Sequence, residues 1–176
     1  MNTRKWVIAG VLSALSVLLG VTGLGFVPVP TAVGNATILQ IPAIIGGVLE
    51  GPIVGAIIGT IFGISSFLHA TIPIFKDPLV AILPRIFIGI GAYYVYKGLR
   101  PINHYLAIGV SGCIGSLVNT VFVLTMIYVR HYLSLAACVT AAVVNGIPEA
   151  IVSTIITLAV VSAWLRLDPR RRQSRI

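Results

Sequence analysis

The sequence predicts an all-α membrane protein of six transmembrane helices with both termini cytoplasmic. Three observations carry this. The 176 residues are 57% hydrophobic and 9% charged, with a mean hydropathy of +1.05, whereas a soluble domain has about 25% charged residues. Six apolar stretches are set apart by segments rich in proline, glycine and charge. Within one stretch Gly51, Gly55, Gly59 and Gly63 recur at every fourth position. Such a ladder costs about 1 kcal/mol per glycine in a water-exposed helix, but in lipid it lets two helix backbones approach closely. The length suits one domain over residues 1–176.

The first apolar segment, about 6–25, follows Arg4 and Lys5 and is long enough to span hydrocarbon at about 1.5 Å per residue. It exceeds a signal-peptide core, and no clear small-x-small cleavage site follows it. Residues 26–37 (FVPVPTAVGNAT) read as a loop. Segments at about 38–49 and 53–68 meet at the turn signal Glu50-Gly51-Pro52. Residues 69–78, with Pro73, Lys76, Asp77 and Pro78, form a second outer loop, and a fourth helix covers about 79–96. A basic turn at 97–103 leads into helices at about 104–129 and 133–165.

Segment two is short, but charge parity favours counting it as a span. With six spans one side holds Arg4, Lys5, Lys97, Arg100, Arg166, Arg170, Arg171, Arg172 and Arg175, against Lys76 and Arg130 on the other. Five spans would carry the arginine-rich tail across the membrane, against the positive-inside rule. The net charge of +8 therefore reads as a cytoplasmic anchor on anionic lipid and not as a nucleic-acid interface.

Ionisable groups within spans are costly and point to function. Arg85 falls about 10 Å below the outer end of its helix, Asn119 about 15 Å, and Asn145 and Glu149 about 18 and 24 Å. They lie beneath the loop carrying Asn35 and Thr37. Together they suggest a cavity open to the outside, with a cation, an anion and several amides. The plainer alternative is a sealed structural network in which Arg85 pairs with Glu149. Pro84 and Pro148 adjoin the two charges, and each ring frees a carbonyl one turn earlier, as in the broken helices that line transport sites. The glycine ladder likewise has two readings, packing within the fold or a face for a partner protein.

Enzyme chemistry finds little support. Gly109-Val110-Ser111-Gly112 matches the GxSG motif of rhomboid proteases, but His69, His104 and His131 all fall at loops or helix ends, away from a base position. A small-residue packing notch is the simpler reading. No GxxxxGK[ST] phosphate loop, HExxH or Cys/His cluster occurs, so neither ATP hydrolysis, a metal nor a cofactor is expected. Cys113 and Cys138 fall at different depths, which makes a disulfide implausible.

The residues together resemble the substrate-binding (S) components of energy-coupling factor (ECF) vitamin transporters over nearly the whole chain. The resemblance rests on Gly34-Asn35-Ala36-Thr37, Ile41-Pro42, Gly51-Pro52 with its ladder, Pro73-Ile74-Phe75-Lys76-Asp77-Pro78, Pro84-Arg85-Ile86 and Asn145-Gly146-Ile147-Pro148-Glu149-Ala150. It implies a six-helix protein that binds a vitamin from outside and docks on a transmembrane coupling subunit with two cytoplasmic ATPases. In the family, helix one contacts the coupling subunit through an AxxxA pattern. Here the matching pairs are Ala9 and Ser13, or Gly10 and Ala14, with Gly51, Gly55, Gly59 and Gly63 as further docking candidates. The GNAT and PRIxIG stretches look most like the pantothenate-type branch. A single carboxylate suits Arg85, and amide and hydroxyl groups suit Asn119 and Asn145. Another vitamin, such as cobalamin or riboflavin, and a ligand-free assembly subunit are the alternatives.

Overall fold

The computed structural model describes residues 2–27 and 35–167. Helix α1 (Thr3–Val21) leads to strand β1 (Phe26–Val27), which pairs antiparallel with β2 (Ala36–Thr37), Phe26 opposite Thr37. There follow α2 (Ile41–Glu50), α3 (Pro52–Leu68), a 3-10 turn (Pro73–Lys76), α4 (Pro78–Ala81) and α5 (Leu83–Leu99). The chain continues through α6 (His104–Val129), α7 (Leu135–Val144) and α8 (Gly146–Leu167). Counting α4–α5 and α7–α8 as continuous, four helices are long and apolar enough to cross a membrane, and α2 and α3 are apolar but shorter. Gly34 of the GNAT stretch and Arg170, Arg171, Arg172 and Arg175 of the tail lie outside the described residues.

Local chemistry explains the boundaries. Gly51 takes φ 105° between α2 and α3, a conformation that side-chain-bearing residues rarely adopt, and Pro52 opens α3 where a missing N–H costs nothing. The carboxylate of Asp77 accepts the Leu79 N–H at 3.0 Å to start α4. Asn103 accepts from Tyr105 and Leu106 to start α6, and Ser134 accepts from Ala137 to start α7.

Two segments expected as single helices are each broken in two. The fourth, expected over 79–96, divides at Ile82, and the sixth, expected over 133–165, divides at Asn145. Both breaks fall two or three residues before a proline, Pro84 or Pro148, where the ring removes a ladder bond. The first helix runs over 3–21 rather than 6–25, because Gly23, at φ 76°, turns the chain into β1.

The glycine ladder is used inside the fold. A Cβ at Gly55 would lie 2.7 Å from Gly89 Cα, one at Gly59 would fall on the Arg85 carbonyl, and one at Gly63 would lie 2.8 Å from Ile82 Cα. Helix α3 thus lies backbone to backbone along the first half of α5. Gly55, Gly59 and Gly63 each serve packing within the fold. Two apolar clusters flank the middle of the bundle. One gathers Ile44, Ile58, Ile88, Ile108 and Val161, the other Val80, Val123, Ile127 and Ala141. Gln40, Arg85, Ser116, Asn119, Thr120, Asn145 and Glu149 are polar residues buried alongside them.

A Cβ at position 59 has no space, whereas one at Gly10 meets nothing within 4 Å. Gly59→Ala is therefore expected to lower stability by about 1–3 kcal/mol through overpacking, with Gly10→Ala within about 0.5 kcal/mol of wild type. Thermal unfolding in detergent checks both. Equal midpoints for the two variants would contradict the packing.

At the other end of these helices, Asp77 ties two loops together. Its Oδ2 accepts from Arg130 Nε at 2.7 Å and from the Tyr132 hydroxyl at 3.2 Å. Burial pushes the Asp77 carboxyl up, but the Leu79 N–H, Arg130 and Tyr132 outweigh it and hold it below the ordinary 3.8. A depressed folded-state value gives stability above the unfolded value, and that stability disappears as pH falls through the folded one. Wild type should therefore melt above Asp77→Asn near neutral pH, and the gap should close below about pH 4. A pH series of melting curves tests this, and a gap independent of pH would refute it.

Candidate functional site

Pro84 has no N–H to offer the carbonyl of Val80, four residues earlier. Arg85 takes that carbonyl instead, its Nη1 donating to Val80 O. Arg85 is 5% exposed. Its guanidinium lies over two rings, with its centre 5.6 Å from the Phe62 centroid and 5.3 Å from that of Phe75, the arrangement of a cation–π contact. Its Nε has no hydrogen-bond partner, and among the described residues no carboxylate lies within ion-pair distance of it. The alternative of an Arg85–Glu149 pair is thus not what the structure adopts.

Glu149 is engaged elsewhere. Its Oε1 accepts the Thr37 N–H at 2.6 Å and its Oε2 the Thr120 hydroxyl at 3.4 Å. The Thr37 hydroxyl donates to Gln40 Oε1 at 3.0 Å, and Gln40 Nε2 donates to Ser116 at 3.2 Å. This chain fixes the end of the β-ribbon to α8, α2 and α6. Asn119 is 6% exposed with an unpartnered Oδ1.

Two adjoining cavities meet at Arg85. The larger, about 450 Å³, lies between the ends of α1 and α3, the ribbon and the 3-10 turn. The smaller, about 60 Å³, is lined by Asn119, Thr120, Asn145 and Glu149. Asn35, Thr37, Phe75 and Arg85 form the wall they share. All six residues expected at the site, Arg85, Asn119, Asn145, Glu149, Asn35 and Thr37, thus line one small chamber. The larger chamber brings in residues not anticipated: Ser16, Thr22, Phe62, Ser65, Ser66 and His69. Their signal was weak. The hydroxyls sit in apolar runs, where serine and threonine are usual packing residues, and His69 reads as a loop residue.

A cavity of this size belongs to the range of small-molecule sites, and its contents define a class. A buried guanidinium with a free donor recognises an oxyanion, while hydroxyls and amides around it recognise neutral polar groups. Set among helices long and apolar enough to cross a membrane, the chamber has the size and polar lining that suit a small polar solute.

Comparison with known proteins gives the family. Residues 4–161 match the family described as "ECF transporter, substrate-specific component". The chain is also 32% identical, over 152 residues, to the pantothenic acid transporter PanT of Lactococcus lactis subsp. cremoris (strain MG1363), covering 72% of this chain and 76% of that one. The chain belongs to the substrate-specific components of ECF transporters. It is a multi-pass cell-membrane transport subunit and not an enzyme.

Proposed function

We propose that this chain captures pantothenate from outside the cell and delivers it to an ECF-type importer. The observation that carries the reading is the buried Arg85, with an unpartnered Nε and no ion-paired carboxylate among the described residues, in the wall of a roughly 450 Å³ cavity. Pantothenate has one carboxylate for that guanidinium, and an amide and two hydroxyls for Asn119, Asn145 and the hydroxyls of the larger chamber. The similarity to PanT supports the same substrate. Riboflavin is disfavoured because Phe62 and Phe75 are already held against Arg85, and cobalamin because its macrocycle exceeds the chamber. A ligand-free assembly subunit would have a sealed, paired Arg85.

On this reading six spans place both termini in the cytoplasm, where the basic residues gather. Docking on a transmembrane coupling subunit, itself joined to two ATPases, falls to helix α1. Ala9 and Ser13 are buried against the protein's own core, whereas Gly10 and Ala14 are exposed. The Gly10/Ala14 register is therefore the docking face. Gly51, half-buried at the α2–α3 corner with nothing within 4 Å of an added Cβ, is the member of the ladder with open space beside it for a partner.

Titration calorimetry tests the site. Arg85→Ala is expected to weaken pantothenate binding by about 2–5 kcal/mol. Arg85→Lys should recover little, since a point charge lacks the planar fork, and Asn119→Ala should cost about 1–3 kcal/mol. No heat from wild type would sink pantothenate as substrate, and unchanged affinity in Arg85→Ala would make that arginine structural. The docking face has its own test. Gly10→Leu should leave binding by the isolated protein unchanged and reduce uptake by the assembled importer at least tenfold. Unchanged uptake would exclude this register.

A further inference from the structure

A second cavity, of about 330 Å³, lies at the opposite end of the bundle, where α1 begins, α2 turns into α3 and α5 ends. Lys5, Glu50, Tyr93 and Arg100 supply its polar wall. Glu50 is already neutralised, its Oε1 lying 3.2 Å from Arg4 Nη2. Lys5 and Arg100 have no carboxylate partner among the described residues. Among the described residues, Lys5 and Arg100 in the wall and the Arg4–Glu50 pair leave an excess of two positive charges at this cavity. Ile53 and Val54 also line the cavity. Their N–H groups precede the first intrahelical bond of α3, from Gly55 N–H to Gly51 O, so this helix end adds partial positive charge.

We propose that this cavity binds the headgroup phosphate of an anionic phospholipid. The excess charge selects an anion, and Tyr93 offers it a hydroxyl. The surroundings select an amphiphile over free phosphate. Ile53, in the cavity wall, is 64% exposed, and Trp6 and Tyr94, next in sequence to the lining residues Lys5 and Tyr93, are 58% and 60% exposed, apolar groups suited to acyl chains. A zwitterionic headgroup would bring its own ammonium against Lys5 and Arg100 and is disfavoured.

Native mass spectrometry of the full chain in detergent, titrated with phosphatidylglycerol or phosphatidylcholine, tests the site. Wild type should retain phosphatidylglycerol preferentially, and added salt should shrink the preference. At about 1 kcal/mol per cation near a membrane surface, Lys5→Gln with Arg100→Gln should lower phosphatidylglycerol affinity about ten- to thirtyfold and leave phosphatidylcholine unchanged. Each single variant should show part of the loss if the double variant is poorly folded. Equal retention of both lipids by wild type would overturn the proposal, as would an unaltered preference in all the variants. Displacement of phosphatidylglycerol by millimolar inorganic phosphate would also overturn it, since the cavity would then be a free-phosphate site.

Discussion

The bond from Arg85 to the Val80 carbonyl is the constraint on which the rest of the site depends. A guanidinium in the middle of an apolar bundle is expensive unless its donors are met. Pro84 meets part of that cost by leaving one carbonyl without an N–H, within reach of the neighbouring side chain. Phe62 and Phe75 hold the plane from two sides. The glycine ladder fixes the backbone from which the side chain departs, because Gly59 packs directly on the Arg85 carbonyl. What remains free is Nε, so the fold meets enough of the cation's needs to keep it buried and leaves a donor for a solute.

Glu149 plays the complementary part. By accepting the Thr37 N–H and the Thr120 hydroxyl, it is held by the ribbon and by α6 and makes no ion pair with Arg85. The two charges therefore share a chamber without forming a pair. An anionic solute would meet an available cation at Arg85, while Glu149 keeps Thr37, and with it the wall shared by the two cavities, in place.

Much of this was legible in the sequence because membrane chemistry leaves few options. Charges beside prolines marked Arg85 and Glu149, depth in the apolar runs marked Asn119 and Asn145, and the loop above marked Asn35 and Thr37; all six line one chamber. Two things were not legible. Periodicity and composition do not say whether a ladder of glycines faces its own chain or another; Gly55 and Gly59 face α5, and Gly63 faces the break between α4 and α5. Nor does periodicity say which side of α1 the fold buries; Ala9 and Ser13 are buried and Gly10 and Ala14 exposed. The hydroxyl wall formed by Ser16, Ser65 and Ser66 was missed because its members are distant in sequence and converge only when α1 lies beside α3.

The central claim is that Arg85 reads a carboxylate, and a change in the ligand tests it more directly than any change in the fold. Panthenol replaces the carboxylate of pantothenate with a hydroxymethyl group and keeps the rest of the molecule. Competition binding on wild type and Arg85→Ala compares the two ligands in both backgrounds. Wild type should prefer pantothenate by on the order of a hundredfold, as for a desolvated charge pair, and the preference should vanish in Arg85→Ala. Equal binding of both ligands by wild type, or a preference that survives the loss of Arg85, would contradict the account.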